Sequence, residues 1–424
     1  MKFFYKLIIT SALILLSSCS GVSGKKVEVV KTSDGYQLYR DGKPYFIKGA
    51  GGSSHFEMVA EYGGNSIRTW GVNDWDKTFK FAEEHNLTVC AGMWMEQERQ
   101  GFDYSDPDTV KMQFERLKSA ILKYKDHPSL LVWGIGNELD LMYTNPAVWD
   151  AVEDVAAFIH KVDGNHPTMT VTTFARQDVV NQIKEKCPSI DILGINVYAA
   201  LPVLDKFLQD FGWDGPYIVG EWGTFGHWEV AKTSWNEPIE YNSGQKADLY
   251  LKGYQEHILD QANCLGSYVF LWDNKQERTA TWYSMFLPTG EKTEVVDVMW
   301  HNWKDGWPQN RSPRLSGLLM NGLKASESIT VKPGSLQNAE VIVTDSENDE
   351  LRITWEVLYE TTDKRTGGDV EQKPAIVDDL DLKPDNNKVS FKAPAEEGPY
   401  RLFVYVYDQK GGAAHANIPF LVKK

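Results

Sequence analysis

The chain is poor in the residues that would tie it to metals, disulfides or polyanions. It has four cysteines, Cys19, Cys90, Cys187 and Cys264. None forms a CxxC pair and none is spaced with histidine as a zinc ligand set, so neither a disulfide scaffold nor a cysteine-held metal is expected. Cys90 and Cys264 lie in apolar surroundings and read as buried thiols. Positive charge is scarce too. The 44 Lys and Arg are outnumbered by 59 Asp and Glu, and the formal charge of -15 repels phosphate backbones. Nucleic acid is therefore not an expected partner. There is no internal repeat. Beyond the first 18 residues, no apolar run approaches the length needed to cross a bilayer. The glycine fingerprint of a dinucleotide-binding sheet is missing as well, GAGGSSH (49–55) being only a loose imitation.

What is present is an ordinary folded composition, 42% hydrophobic and 24% charged, in a chain of 424 residues, long enough for two domains. Its 15 tryptophans favour flat, uncharged ligands that stack on indole rings. Residues 1–18 carry Lys2, Lys6 and the apolar stretch LIITSALILL, a targeting segment to be kept out of the fold. LSSC (16–19) resembles a bacterial lipoprotein cleavage box. That likeness implies lipidation of Cys19 and a flexible tether over 19–26. The mature chain, without Lys2 and Lys6, carries about -17 by the same count. The expected location is the bacterial envelope, anchored by lipid to the outer membrane on its outer or periplasmic face.

From residue 46 to about 305, short apolar runs alternate with amphipathic stretches. The runs are FIKGA (46–50), SIRTW (66–70), TVCAGMW (88–94), LLVWGIGN (130–137), TMTVTTF (168–174), DILGINVY (191–198), YIVGEWG (217–223) and GSYVFLWD (266–273). Near-continuous apolar strands separated by helices pair in parallel with both faces covered. Eight such units predict a (β/α)8 TIM barrel over 27–309, with a hairpin before it closing its N-terminal end. After about residue 310, strands continue without helices, which predicts an all-β immunoglobulin-like sandwich over 310–424. Few tryptophans lie in this second domain, and it reads as a spacer. Its acidic stretch TDSENDE (344–350) lacks the spaced ligand pattern of a calcium loop and reads as a solvated turn.

Active residues of such a barrel belong at the C-terminal strand ends. Glu138 ends the fourth strand and Glu221 the seventh, each stepping out of an apolar run where an unpaired acid is costly. Paired carboxyl groups across a barrel mouth suit glycoside hydrolysis. Each also has a structural reading, Glu138 as an acid at a helix start and Glu221 as an ion-pair partner of Arg68. Further polar strand-end residues are His55 and Asn196, while Glu96, Glu98 and Asp273 are competing carboxylates ranked as substrate contacts or loop residues.

NE at strand four and E at strand seven, in register with Arg68, Asn137, Tyr198 and Trp272, resemble the clan of retaining (β/α)8 glycoside hydrolases. The resemblance covers the whole barrel. It implies Glu221 as nucleophile, held by Arg68 and oriented by Tyr198. It implies Glu138 as acid/base, Asn137 on the sugar 2-hydroxyl, and Trp272 under the sugar at the cleaved bond. Lipoprotein anchor, barrel and C-terminal sandwich together resemble the bacterial endo-β-1,3-glucanases of glycoside hydrolase family 158, which implies laminarin-type β-1,3-glucan as substrate.

Trp70, Trp75, Trp94, Trp222, Trp228, Trp272 and Trp282 all fall at strand ends or in the loops after them. About half are expected in the core, and three exposed rings would be enough to line several sugar subsites. A neutral β-linked polysaccharide fits that mouth better than a uronate polymer, which would call for extra Arg and Lys. Mannan and β-1,4-glucan are the nearest rivals, a transglycosylase is a subtler one, and a non-catalytic glycan-binding protein is the alternative of a different class. The mechanism needs no cofactor or metal, and a monomer is expected.

Overall fold

The computed structural model describes residues 25–174 and 176–424. The targeting segment, Cys19 and most of the tether lie outside them. Among the described residues, no helix is long and apolar enough to cross a membrane.

The chain opens with β1 (Val27–Thr32), β2 (Gly35–Arg40) and the short β3 (Lys43–Pro44), an antiparallel sheet. Val27 and Leu38 pack on Ile47, Leu131, Ile192, Ile218 and Leu265, residues at the starts of barrel strands, so this sheet covers the barrel's N-terminal end.

Eight parallel strands then close on themselves. They are β4 (Ile47–Gly51), β5 (Ser66–Arg68), β6 (Thr88–Met93), β7 (Leu130–Ile135), β8 (Thr168–Thr172), β9 (Ile192–Asn196), β10 (Tyr217–Trp222) and β11 (Cys264–Val269). Every residue of β6, β7 and β10 is buried, as expected of strands covered on both faces. Helices α1 (Phe56–Glu61), α2 (Trp75–Glu84), α3 (Pro107–Tyr124), α4 (Ala147–Val162), α5 (Gln177–Lys186), α6 (Leu204–Asp210), α7 (Ser243–His257) and α8 (Glu294–Lys304) surround the strands. Their starts are written locally. Asp106 caps α3, its side chain accepting from the Asp108 N–H at 3.0 Å with Pro107 at the first helical position. Asn242 and Gln245 form a reciprocal capping box on α7, at 2.9 and 3.0 Å. Cys90, Cys187 and Cys264 are free and buried.

The second domain stacks two sheets. One holds β12 (Lys292–Thr293), β16 (Arg352–Tyr359), β19 (Gly398–Tyr407) and β20 (Gly412–Val422), with β14 (Thr330–Val331) beside β20. The other holds β13 (Arg314–Met320), β15 (Leu336–Thr344), β17 (Lys383–Asp385) and β18 (Lys388–Lys392). Alternation in RLFVYVYD sends Leu402, Val404 and Val406 inward. The strand β12 precedes α8 in the barrel, yet pairs with β20 of the sandwich.

The two domains are locked by a buried polar network. Glu240 of the barrel takes Lys246 at 2.6 Å and the Asn417 side chain of the sandwich at 2.6 Å. Arg401 of the sandwich pairs with Glu360 at 3.0 Å and donates to the Pro238 carbonyl of the barrel at 3.1 Å. Breaking one partner of such a pair leaves an uncompensated buried charge, at a cost of about 3–5 kcal/mol. The sandwich is thereby fixed to the barrel, where the sequence suggested a simple spacer.

Candidate active site

The C-terminal ends of β5, β7, β9 and β10 bring one cluster together. Arg68, only 2% exposed, donates from one terminal nitrogen to Glu221 Oε1 at 3.0 Å and to the Gly220 carbonyl at 2.8 Å. Its other terminal nitrogen donates to Asn137 Oδ1 at 2.6 Å. Trp70 Nε1 donates to Glu221 Oε1 at 2.8 Å, and the Tyr198 hydroxyl to Glu221 Oε2 at 3.1 Å. Burial, then the Glu221 charge, push the Tyr198 phenol well above its ordinary value, so it stays a donor. Three donors thus converge on one carboxylate, and the permanent guanidinium cation matches its charge.

Glu138 lies across from this anion. Its Oε1 accepts from Asn196 Nδ2 at 2.9 Å, and the same amide reaches Asn137 Oδ1 at 3.2 Å. Burial, and next the Glu221 charge, push the Glu138 carboxyl up to about 8. It therefore holds a proton at neutral pH. The Glu138 backbone has φ 50°, a left-handed conformation that costs a non-glycine residue about 1–2 kcal/mol. Gln97 fixes this turn by donating to the Asn137 carbonyl at 2.8 Å. Strain held on a carboxyl-bearing residue at a strand end marks a site built for use.

Both glutamates open into one cavity of about 1010 Å³, at the upper end of the range for ligand sites. Trp70, Trp94 and Trp228 line it, Trp228 being 57% exposed. Trp222 and Trp272 do not. Both rings are fully buried, Trp222 against Tyr250 and Tyr254 of α7, Trp272 between Phe286 and Trp303. Trp222 is the last residue of β10 and turns its ring out to α7, while Trp272 lies three residues past the end of β11 with its ring on Trp303 of α8, which corrects their expected sugar-stacking role. Trp75 and Trp282 are also core residues.

The competing acids are committed elsewhere. Glu98 accepts the backbone N–H of Thr144 and Asn145 at 2.6 and 2.9 Å, and Asp273 holds Ser54 at 2.8 Å. Glu96 takes Trp94 Nε1 at 3.3 Å. The His55 ring stacks on Phe286 at 4.1 Å. Asn196, a strand-end residue without a distinctive sequence signal, is the link between the two glutamates. Sequence reasoning did not find Phe270, which lies in the eighth apolar run just past the end of β11, nor Tyr283, His227 or Glu277, which complete the cavity wall from loops with no periodicity to read. Nor did it find Arg365 to Val370, which reach the cavity from the sandwich. In the acidic turn of that domain, Asp345, Glu347 and Asp349 bring carboxylate oxygens within 4.8 Å of one another, with Lys410 paired to Asp349.

Comparison with known proteins adds a family. Residues 61–323, more than half of the chain, match the model described as glycosyl hydrolases family 2, TIM barrel domain. A β-galactosidase of Vibrio vulnificus is 26% identical over 143 residues, covering 29% of this chain and 14% of that protein. One of Photobacterium profundum is 25% identical over 143 residues, with the same coverage of 29% and 14%. The chain thus spans about one seventh of the length of these curated relatives. Among solved structures, β-glucuronidase 2 of Bacteroides uniformis superposes with a TM-score of 0.54 at 13% identity, over 94% of this chain and 48% of that one. A β-glucuronidase of Ruminococcus gnavus does so with a TM-score of 0.52 at 14% identity, over 66% and 52%. At such identities these structures share the fold and no more. The closed eight-stranded barrel, the strand-end glutamates and the match across 61–323 agree, and the chain belongs to the TIM-barrel domain family of the family 2 glycosyl hydrolases.

Proposed function

We infer that this glycoside hydrolase cleaves a neutral β-linked glycan with retention of configuration, by double displacement. The observation that carries the reading is the asymmetry of the two acids. Glu221 is met by three donors and has one open lone pair, and Glu138 is protonated and faces the same cavity. In the first step Glu138 gives its proton to the departing glycosidic oxygen while Glu221 attacks the anomeric carbon. The bond between that carbon and the leaving oxygen breaks as the bond to Glu221 Oε2 forms. Glu221 then carries no charge, Glu138 ionises more readily, and it takes a proton from the water that releases the sugar.

The cations that line the cavity support a neutral substrate. Arg176 is paired with Asp178, Lys275 with Glu277 and Arg365 with Asp363, at 2.6, 2.9 and 2.5 Å. A uronate would have to compete for them. Within neutral glycans, the likeness to family 158 favours internal cleavage of laminarin-type β-1,3-glucan, a finer assignment than the family 2 match carries. The names of the curated relatives favour a second reading, release of single sugars from chain ends in the manner of a β-galactosidase. Incubation with laminarin, β-1,4-glucan, β-mannan and aryl β-glycosides, with products identified by size and linkage, tests both. Oligosaccharides from laminarin support the first reading and single sugars the second. No product from any substrate, or turnover like the wild type's by Glu138→Gln or Glu221→Gln, overturns the enzymatic reading. The lipid anchor at Cys19 belongs to the same proposal, as the device that holds such an enzyme at the outer membrane beside its polymer.

A further inference from the structure

The connection from β16 to β17, residues 360–382, is 23 residues without regular secondary structure. Loops of this length are uncommon in compact domains and usually functional. This one leaves the sandwich, is pinned at the mouth of the barrel between Lys364 and Glu371, and returns to the sandwich, where Val377 and Leu380 join its core. Asp369 takes a two-pronged salt bridge from Arg99, at 2.8 and 3.0 Å, and a further bond from Gln100 at 2.9 Å. Lys275 Nζ donates to the Gly368 carbonyl at 2.6 Å. The fully buried Glu371 carboxylate pairs with Arg278 at 3.2 Å and accepts the Arg278 backbone N–H at 2.6 Å. Lys364 pairs with Glu237 at 2.8 Å.

The tip itself is written for close approach. Gly367 and Gly368 have φ 64° and 72°, conformations that glycine adopts freely. A Cβ on Gly367 would stand 2.6 Å from Leu141, and one on Gly368 2.9 Å from Lys275 Nζ. The anchors face the barrel, and the remaining side chains face the cavity. Arg365, Thr366 and Val370 line it, and Val370 is 86% exposed, an apolar residue left in water with no packing partner to explain it. Anchoring contacts of this number go beyond what joining two domains requires, because the buried Glu240 and Arg401 network already does that.

We propose that this loop is a fixed glycan subsite, remote from the cleaved bond, through which the C-terminal sandwich selects for chain length. The class of ligand is a neutral oligosaccharide long enough to run from the two glutamates to Val370, and this assignment rests on the glycan reading above. Pre-formed by its salt bridges, the loop orders nothing further on binding, so its contacts add to affinity without that entropic cost.

The test uses the full chain with Glu221→Gln to prevent turnover. Calorimetry measures binding of two- and six-residue β-1,3-gluco-, β-1,4-gluco-, β-1,4-manno- and β-1,4-galacto-oligosaccharides. The same titrations follow in Glu221→Gln carrying Arg365→Ser and Val370→Ser, whose side chains anchor nothing on the barrel. The glycan that binds should do so about tenfold more tightly as the six-residue chain, and this ratio should fall to about two in the loop variant. An unchanged ratio overturns the subsite while leaving the glycan reading intact. Failure of every oligosaccharide to bind either protein overturns the glycan reading itself, and the subsite with it.

Discussion

Removing the charge of Glu221 should make Glu138 easier to ionise. The Glu138 carboxyl is pushed from 4.5 to about 8, chiefly by burial and second by the neighbouring anion. At 1.36 kcal/mol per tenfold change in proton affinity, that is roughly 5 kcal/mol in favour of the neutral acid. Burial supplies the largest share and the Glu221 charge the next. The sign is fixed by the direction. Below pH 8 the acid form needed for the first step is present, and it is lost as pH rises. The wild-type kcat/KM should therefore fall on an alkaline limb near pH 8. In Glu221→Gln, expected to be folded but inactive, the Glu138 carboxyl followed by isotope-edited infrared spectroscopy should titrate at lower pH than in the wild type. A limb near the ordinary carboxyl range, or a Glu138 titration untouched by the substitution, would refute the argument that the two acids share one field.

Three further outcomes follow from the same coordinates. Tyr198→Phe removes a donor to a charged acceptor and should slow kcat by about 10- to 100-fold, measured at saturating substrate, with the fold intact. Trp228→Ala should raise KM by about 2- to 12-fold, the worth of one aromatic contact, whereas Trp272→Ala should lower stability by about 3–5 kcal/mol in denaturant unfolding, because its ring is core. Acid should loosen the joint between the domains. Burial alone would raise the Glu240 carboxyl, but Lys246, His415 and the Thr279 hydroxyl together outweigh it and hold the group at about 2, while burial and the Lys246 charge hold His415 down to about 3. Both folded values are depressed, so their stabilisation is present above the unfolded values and lost as pH falls, from about 6.5 for His415 and 4.5 for Glu240. Thermal melts from pH 7 to pH 3 should show a progressive drop, and a flat profile would contradict the assignment.

The barrel was legible in the sequence because a parallel sheet covered on both faces writes each strand as an apolar run, as in LLVWGI and YIVGEW. The same logic exposed Glu138 and Glu221, since an acid at the end of such a run is conspicuous. Arg68 and Tyr198 followed from their strand positions and do meet Glu221. Trp222 misled because adjacent strand-end residues point to opposite sides, and Trp272 because β11 ends at Val269, so that its ring is placed by the following turn rather than by strand register. The loop from 360 to 382 was illegible for a different reason. Its placement is set by ion pairs such as Arg99 with Asp369, 270 positions apart, and nothing local in either segment announces the other. For that reason nothing in the composition of the sandwich, which suggested a spacer, announced that residues 365–370 line the cavity.

The central claim is that Glu221 becomes covalently bonded to the sugar. The most direct measurement is mass spectrometry of peptides after incubation with an activated 2-deoxy-2-fluoro β-glycoside of the sugar that the enzyme turns over. The account predicts one added fluoroglycosyl group, on the peptide that carries Glu221. A label on Glu138 instead, or an unlabelled enzyme that releases product of inverted configuration, would contradict it.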